Sequence, residues 1–256
     1  MAEYDRQTLG ARAGSAVAID EGLRSYMLRV YNYMGIGLVV TGLVAWFANS
    51  AATTTDAANA VGQLANGQLV TQWGALLYSS PLAWVIMLAP LAFVMVLSFG
   101  INKLSVTAAQ ATFWAFAAIM GLSLSSIFMV YTDASIAKVF FITAATFGAM
   151  SLYGYTTKRD LTSIGNFLIM GLIGIIIASI VNIFMKSSML EFGISVVGVL
   201  VFVGLTAYDT QKIKENYSES YGADVLAKNA VMGALSLYLD FINLFMMLLR
   251  LFGNRE

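Results

Sequence analysis

Cysteine and histidine are both absent from the 256 residues of this chain. The first absence excludes disulfides and thiolate chemistry, and the two together remove the usual ligands of zinc, copper and haem. Without histidine the chain also lacks the one side chain that titrates near neutrality unaided. Any response to pH must therefore use carboxyls or lysines in unusual surroundings. No serine–histidine pair can form, and the sequence carries no phosphate-binding glycine loop. Charge is scarce as well: 11% of the residues are charged and 59% are hydrophobic, against roughly 25% and 45–50% in a soluble domain. The 14 Lys and Arg residues balance the 14 Asp and Glu. With no basic patch either, nothing points to a nucleic acid as partner.

What is present is apolar sequence gathered into blocks, and the solvent that rewards such blocks is the lipid bilayer. A spanning helix needs about 20 mostly apolar residues. Seven stretches qualify: Tyr26 to Ala48, Leu82 to Phe99, Ser105 to Tyr131, Ala134 to Tyr153, Ile164 to Met185, Met189 to Asp209, and Asn229 to Phe252. The fold class expected is all-α, a seven-helix transmembrane bundle over residues 26–256. Residues 1–25 are polar, lack the apolar core of a signal peptide, and read as a short soluble tail. Two connections are longer than the rest, the neutral stretch Asn49 to Pro81 and the charged stretch Thr210 to Lys228. The second is expected to form extra cytoplasmic structure.

Lys and Arg divide unequally between the two sides that seven crossings create. Ten lie on the side of the N-terminus, including Arg24, Lys103, Lys158, Arg159, Lys212 and Lys228, and four on the other, Lys138, Lys186, Arg250 and Arg255. The positive-inside rule then places the N-terminus and the sixth-to-seventh connection in the cytoplasm and the C-terminus outside.

Polar and small residues form stripes within the blocks. Asn229, Gly233, Ser236, Asp240 and Asn243 recur at steps of four, three, four and three, which puts all five on one helix face. Leu237, Phe241, Leu244, Phe245 and Leu248 cover the other faces and suit lipid or apolar neighbours. The fifth block has Gly171, Gly174, Ala178 and Asn182, and the first has Asn32, Gly35 and Gly42. Such stripes let helices approach closely, so Gly165 to Asn182 is expected to face the bundle interior. Pro90 in the second block predicts a kink.

Asp240 is the costliest residue in the chain. It lies eleven residues beyond Asn229, about 16 Å along a helix and so near the middle of the bilayer. A charged Asp there costs at least ~2.5–3.5 kcal/mol and persists only if neutralised, paired or functional. Its plain alternative is a neutral acid bonded to a neighbouring helix. Asp209, in Ala207-Tyr208-Asp209-Thr210-Gln211, closes the sixth block on the cytoplasmic side. Glu191, early in that block on the outer side, is either an entry carboxylate or a solvated helix-end residue.

Tyr208-Asp209-Thr210-Gln211, followed by Ser236-Leu237-Tyr238-Leu239-Asp240-Phe241-Ile242-Asn243-Leu244-Phe245, resembles the closing pair of motifs of the Bax inhibitor-1 family, the transmembrane Bax-inhibitor-motif family. Gly121-Leu122-Ser123 and Thr143-Ala144-Ala145-Thr146-Phe147 match its central signature in part. Tyr153-Gly154-Tyr155-Thr156-Thr157-Lys158-Arg159-Asp160-Leu161 is similar to the loop that follows in bacterial members. The resemblance implies a bundle with the seventh helix near its centre, in a bacterial inner membrane. It also implies a hydrogen-bonded aspartate dyad, Asp209 and Asp240, that responds to pH and controls a calcium leak. The second-helix arginine that meets the dyad in some members is missing between Leu82 and Gly100.

Two carboxyls in one apolar site do not both ionise readily. A shared proton can hold two helices together, and its loss would charge the pair and admit water or a cation. Two carboxylates alone are a poor cage for Ca²⁺, which takes about 6–8 oxygen ligands. Ser236, Asn243 and Tyr208 are the candidate supporters, the dyad is a transient Ca²⁺ site, and no cofactor is expected. Three functions are open to such a chain: a pH-sensitive calcium leak, a regulator that restrains a membrane-anchored ATP-dependent protease through its N-terminal tail, and an intramembrane aspartyl protease. Bacterial relatives are associated with the second. The third lacks the glycines that normally flank such an aspartate, so an enzyme is not expected.

Overall fold

In lipid a backbone can satisfy its N–H and C=O groups only as helix or closed barrel, and the apolar blocks here fold as helices. The computed structural model describes the backbone of residues 2–63 and 67–254, with the side chains of residues 21–63 and 67–254. The tail surface expected to meet a protease therefore lies largely outside the described side chains. In order the helices are α1 (Ala2–Ala52), α2 (Gln72–Ser79), α3 (Pro81–Gly100), α4 (Val106–Leu124), α5 (Asp133–Thr156), α6 (Thr162–Met185), α7 (Ser188–Glu215) and α8 (Ala223–Phe252). Seven of them, all but α2, have spans long and apolar enough to cross a membrane.

Local chemistry sets the ends. Ser105, Thr132 and Ser187 each accept a backbone N–H in the first turn of α4, α5 and α7, as N-caps do. Ser80 caps α3 with Pro81 at its first position, where the missing N–H costs nothing. Lys186 ends α6 in the left-handed region at φ 48°. The helix α3 continues through Pro90.

Two connections differ from expectation. The helices α7 and α8 extend into the charged stretch from both sides, leaving only residues 216–222 between them. No separate structure forms in those residues, and Lys212 and Lys214 in the last turn complement the negative end of the extended α7. Asp209 accordingly sits six residues inside the helix end. The neutral connection between α1 and α3 carries α2 and a small antiparallel sheet, β1 (Thr53–Thr54), β2 (Gly62–Gln63) and β3 (Leu69–Val70), in the order β1-β3-β2. Thr71 fastens it to α1, donating its N–H to Ala52 O at 3.0 Å and its hydroxyl to Ala51 O at 2.8 Å.

Enclosure varies sharply. In α8, 72% of the apolar span is buried, against 11% in α3 and in α6. The helix α8 packs against α1, α3, α4, α5 and α7, whereas α6 leans chiefly on α7. Leu237, Phe241, Leu244, Phe245 and Leu248 are all buried, so their neighbours are protein. Tyr238 is fully buried between the rings of Phe113 and Phe116, and its hydroxyl meets Thr41 Oγ1 at 2.5 Å.

The glycine stripes behave differently from expectation. Gly171 faces Val201, but Gly174 has nothing within 4 Å, and Asn182 caps the following turn by accepting Ser187 N–H. The stripe is interior at Gly165, Gly171 and Ala178, the last packed against the core, and open at Gly174. Gly35 and Gly42 likewise have no neighbour within 4 Å. Close approaches lie instead at Gly74 of α2, set against the Ala52 carbonyl, Gly121 of α4, against the Thr41 carbonyl, Gly154 of α5, against the Ala207 carbonyl, and Gly165 of α6, against the Tyr208 ring.

Candidate functional site

Gly154 and Gly165 bring α5 and α6 onto α7 at residues 207 and 208, and so fix the helix where it carries Asp209. The side chain of Asp209 is half-buried and lines a cavity of about 460 Å³ with Tyr26, Lys212, Asn229, Gly233 and Ser236 among its walls. Three members of the α8 polar stripe thus face this space. The fourth, Asp240, is one helical turn below Ser236, about 6 Å deeper, and only 6% exposed. Its Oδ2 is buried without a hydrogen-bond partner. Asp209 is its acidic neighbour, and Lys212 is the cationic neighbour of Asp209. The rings of Tyr26 and Tyr217, 5.4 Å apart, pack together beside the cavity.

The remaining sequence candidates separate. Asn243 donates its side-chain N–H to Leu239 O at 2.8 Å, within its own helix. Tyr208 turns toward α6, and the Lys212 ammonium lies 5.7 Å from its ring centroid. Glu191 stands in the first turn of α7, eighteen residues from Asp209 and hence about 27 Å away along the helix. There a carboxylate suits the positive helix end. Among the described residues, no group of three or more acidic side chains gathers to hold a metal ion.

Two residues of the Tyr208-Asp209-Thr210-Gln211 motif have structural roles that residue spacing did not reveal. Thr210 bonds Ser151 on α5 at 2.9 Å, and Ser151 bonds Tyr31 on α1 at 2.6 Å. Gln211, 4% exposed, accepts Leu161 N–H and donates to Arg159 O, both at 2.8 Å. Lys214 Nζ donates to Tyr155 O at 2.7 Å. The α5–α6 connection is thereby clamped to α7 beside Asp209. Asp160 in that connection accepts from the Thr162 hydroxyl and from its N–H, which together hold its carboxyl below the usual range. Gln211→Ala should lower thermal stability in detergent by about 1–3 kcal/mol, because it strips partners from buried backbone groups. Gln211→Glu, which keeps the acceptor, should lose less. Equal melting temperatures for all three proteins would contradict the clamp.

Proteins of similar sequence match this chain over nearly its whole length. The chain is 48% identical over 248 residues to the inner membrane protein YbhL of Escherichia coli K12, covering 96% of this chain and 98% of that one. It is 47% identical over 237 residues to the protein RP147 of Rickettsia prowazekii, covering 93% and 92%. A membrane protein of Streptococcus pyogenes serotype M3 is 35% identical over 237 residues, covering 93% and 96%. The family described as inhibitor of apoptosis-promoting Bax1 matches residues 23–256, the whole bundle with both aspartate motifs, and the chain belongs to that family.

Proposed function

We propose that this protein is a pH-sensitive cation leak of a bacterial inner membrane, with Ca²⁺ as the permeant ion and Asp209 and Asp240 as its gate. The observation that carries the reading is the buried, unpartnered Oδ2 of Asp240, one turn beneath a polar cavity walled by Asp209. An acid at that depth is costly when charged, and its nearest acidic neighbour stands on the adjacent helix. At low pH the pair holds a proton and α7 and α8 stay together. As pH rises the proton leaves, two like charges face each other, and the helices part to admit water and a cation. Lys212, Tyr26 and Tyr221 are the other titratable groups of the cavity. Beyond Asp240 the buried Leu244, Phe245 and Leu248 would form the apolar barrier of the closed state.

Two carboxylates offer about four oxygens, short of the 6–8 that Ca²⁺ prefers, so water completes the shell and the ion passes without being stored. The cavity opens on the side rich in Lys and Arg, which the positive-inside rule assigns to the cytoplasm, leaving the C-terminus in the periplasm. Protein reconstituted in liposomes loaded with a calcium indicator tests the reading. Influx should rise with pH, no more steeply than about tenfold per unit if one proton gates it. Flux equal to that of empty liposomes at every pH would refute the leak.

A further inference from the structure

A second recess opens sideways between α1 and α5. It measures about 630 Å³ and its lining includes Arg24, Tyr31, Gly35, Phe147, Gly148 and Ser151. Gly35 and Gly148, one on each helix, both have nothing within 4 Å, so the recess owes part of its space to two absent side chains. Leu28 and Leu152 beside it are more than half exposed, as lipid-facing residues are. Phe147 and Ser151 are buried and belong to its floor. Arg24 is exposed at one end. Lys214 stands nearby, held against the carbonyl and ring of Tyr155, another lining residue.

We propose that this groove is a binding site for a membrane phospholipid, with the phosphate at Arg24 and one acyl chain running along α1 to Gly35. Length and charge both fit that occupant. Arg24 to Gly35 spans eleven residues, about 16 Å of helix, which matches half of a hydrocarbon core ~30 Å thick, the depth of one leaflet. Arginine is suited to a phosphate at the interface, and the lining beneath it is largely apolar. The floor is polar at one point only, where Ser151 bonds Tyr31 and Thr210. Those bonds already satisfy the hydroxyls, so a hydrocarbon chain leaves no polar group stranded.

The full chain in liposomes of phosphatidylcholine and phosphatidylglycerol, with a trace of phosphatidylglycerol carrying a photoactivatable acyl chain, tests the site. Adducts mapped by mass spectrometry should concentrate on residues 28–35 and 147–152. They should exceed several-fold those on the equally exposed Phe167–Phe184 face of α6. Gly148→Leu grows into open space, so the fold should survive and groove labelling should fall to the α6 level. Gly174→Leu, also in open space but on α6, should leave groove labelling intact. Arg24→Gln should reduce labelling and abolish preference for the anionic probe over its phosphatidylcholine counterpart. Labelling spread over α1, α5 and α6 in proportion to exposure, and unmoved by Gly148→Leu, would mean boundary lipid only and overturn the proposal. Labelling that is concentrated in the groove but indifferent to Arg24→Gln would overturn the phosphate contact.

Discussion

Asp240→Asn should give a protein whose calcium flux stays at its low-pH level whatever the external pH. Asparagine has the shape of a protonated aspartate, is neutral, and carries a donor where the acid carries its proton. The variant therefore mimics the closed form and cannot become charged. In the native chain the side chain is 6% exposed with an unpartnered oxygen, so ionisation there sets a cost of at least ~2.5–3.5 kcal/mol against the packing of α7 on α8. That is about the size of a two-state switch, in which 1.4 kcal/mol changes a population tenfold. Asp209→Asn should also flatten the pH response, but for a different reason. It removes the carboxylate that faces the cavity beside Lys212, so cation capture should fall along with the pH dependence. The double variant should resemble Asp209→Asn. Wild-type pH dependence surviving in Asp240→Asn, with the protein folded and monodisperse, would remove the dyad from the mechanism.

The second large effect concerns two glycines six residues apart on α5. Gly154→Ala should destabilise the protein by about 1–3 kcal/mol, since overpacking against an immovable neighbour costs that much. Its new methyl would strike the carbonyl and Cα of Ala207, backbone atoms that cannot rotate away. Gly148→Ala should do the opposite. Nothing lies within 4 Å of that position, and alanine is favoured over glycine inside a helix by roughly 0.5–1 kcal/mol. The pair thus differs by about 1.5–4 kcal/mol for one identical chemical change, readable as opposite shifts in thermal unfolding in detergent. Because Ala207 is two residues from Asp209, Gly154→Ala should also disturb calcium flux. A Gly154→Ala protein as stable as Gly148→Ala would show that α5 does not press on α7 there.

The seven crossings were legible because about 20 apolar residues leave a chain no alternative in lipid. Their ends were less so. Hydropathy stops at Asp209, but the helix runs on to Glu215, since its backbone bonds continue in water wherever the side chains permit. The sheet between α1 and α3 has strands of two residues each, too short for alternation to register. The α8 polar stripe was readable from its spacing, and Asn229, Gly233 and Ser236 do share one cavity. Partner choice was not. A stripe of glycines shows that a helix can be approached, without saying by what, which is why Gly174 and Gly35 stand open while Gly154 carries a tight crossing. Gln211 lay inside a quoted motif, yet its hold on Arg159 and Leu161 required knowing which loop folds beside it.

The extension of α7 to Glu215 and of α8 back to Ala223 has a kinetic consequence. The cavity beside Asp209 is walled mainly by these two helices, with only Asn216 and Tyr221 of the seven-residue turn at its wall. The proposed gate would widen by the tilting of whole helices, a motion of microseconds to milliseconds and slower than that of surface loops. After a sudden change of pH, proton transfer and ion flow should therefore separate in time, with the current lagging by the interval that two helices need to swing apart.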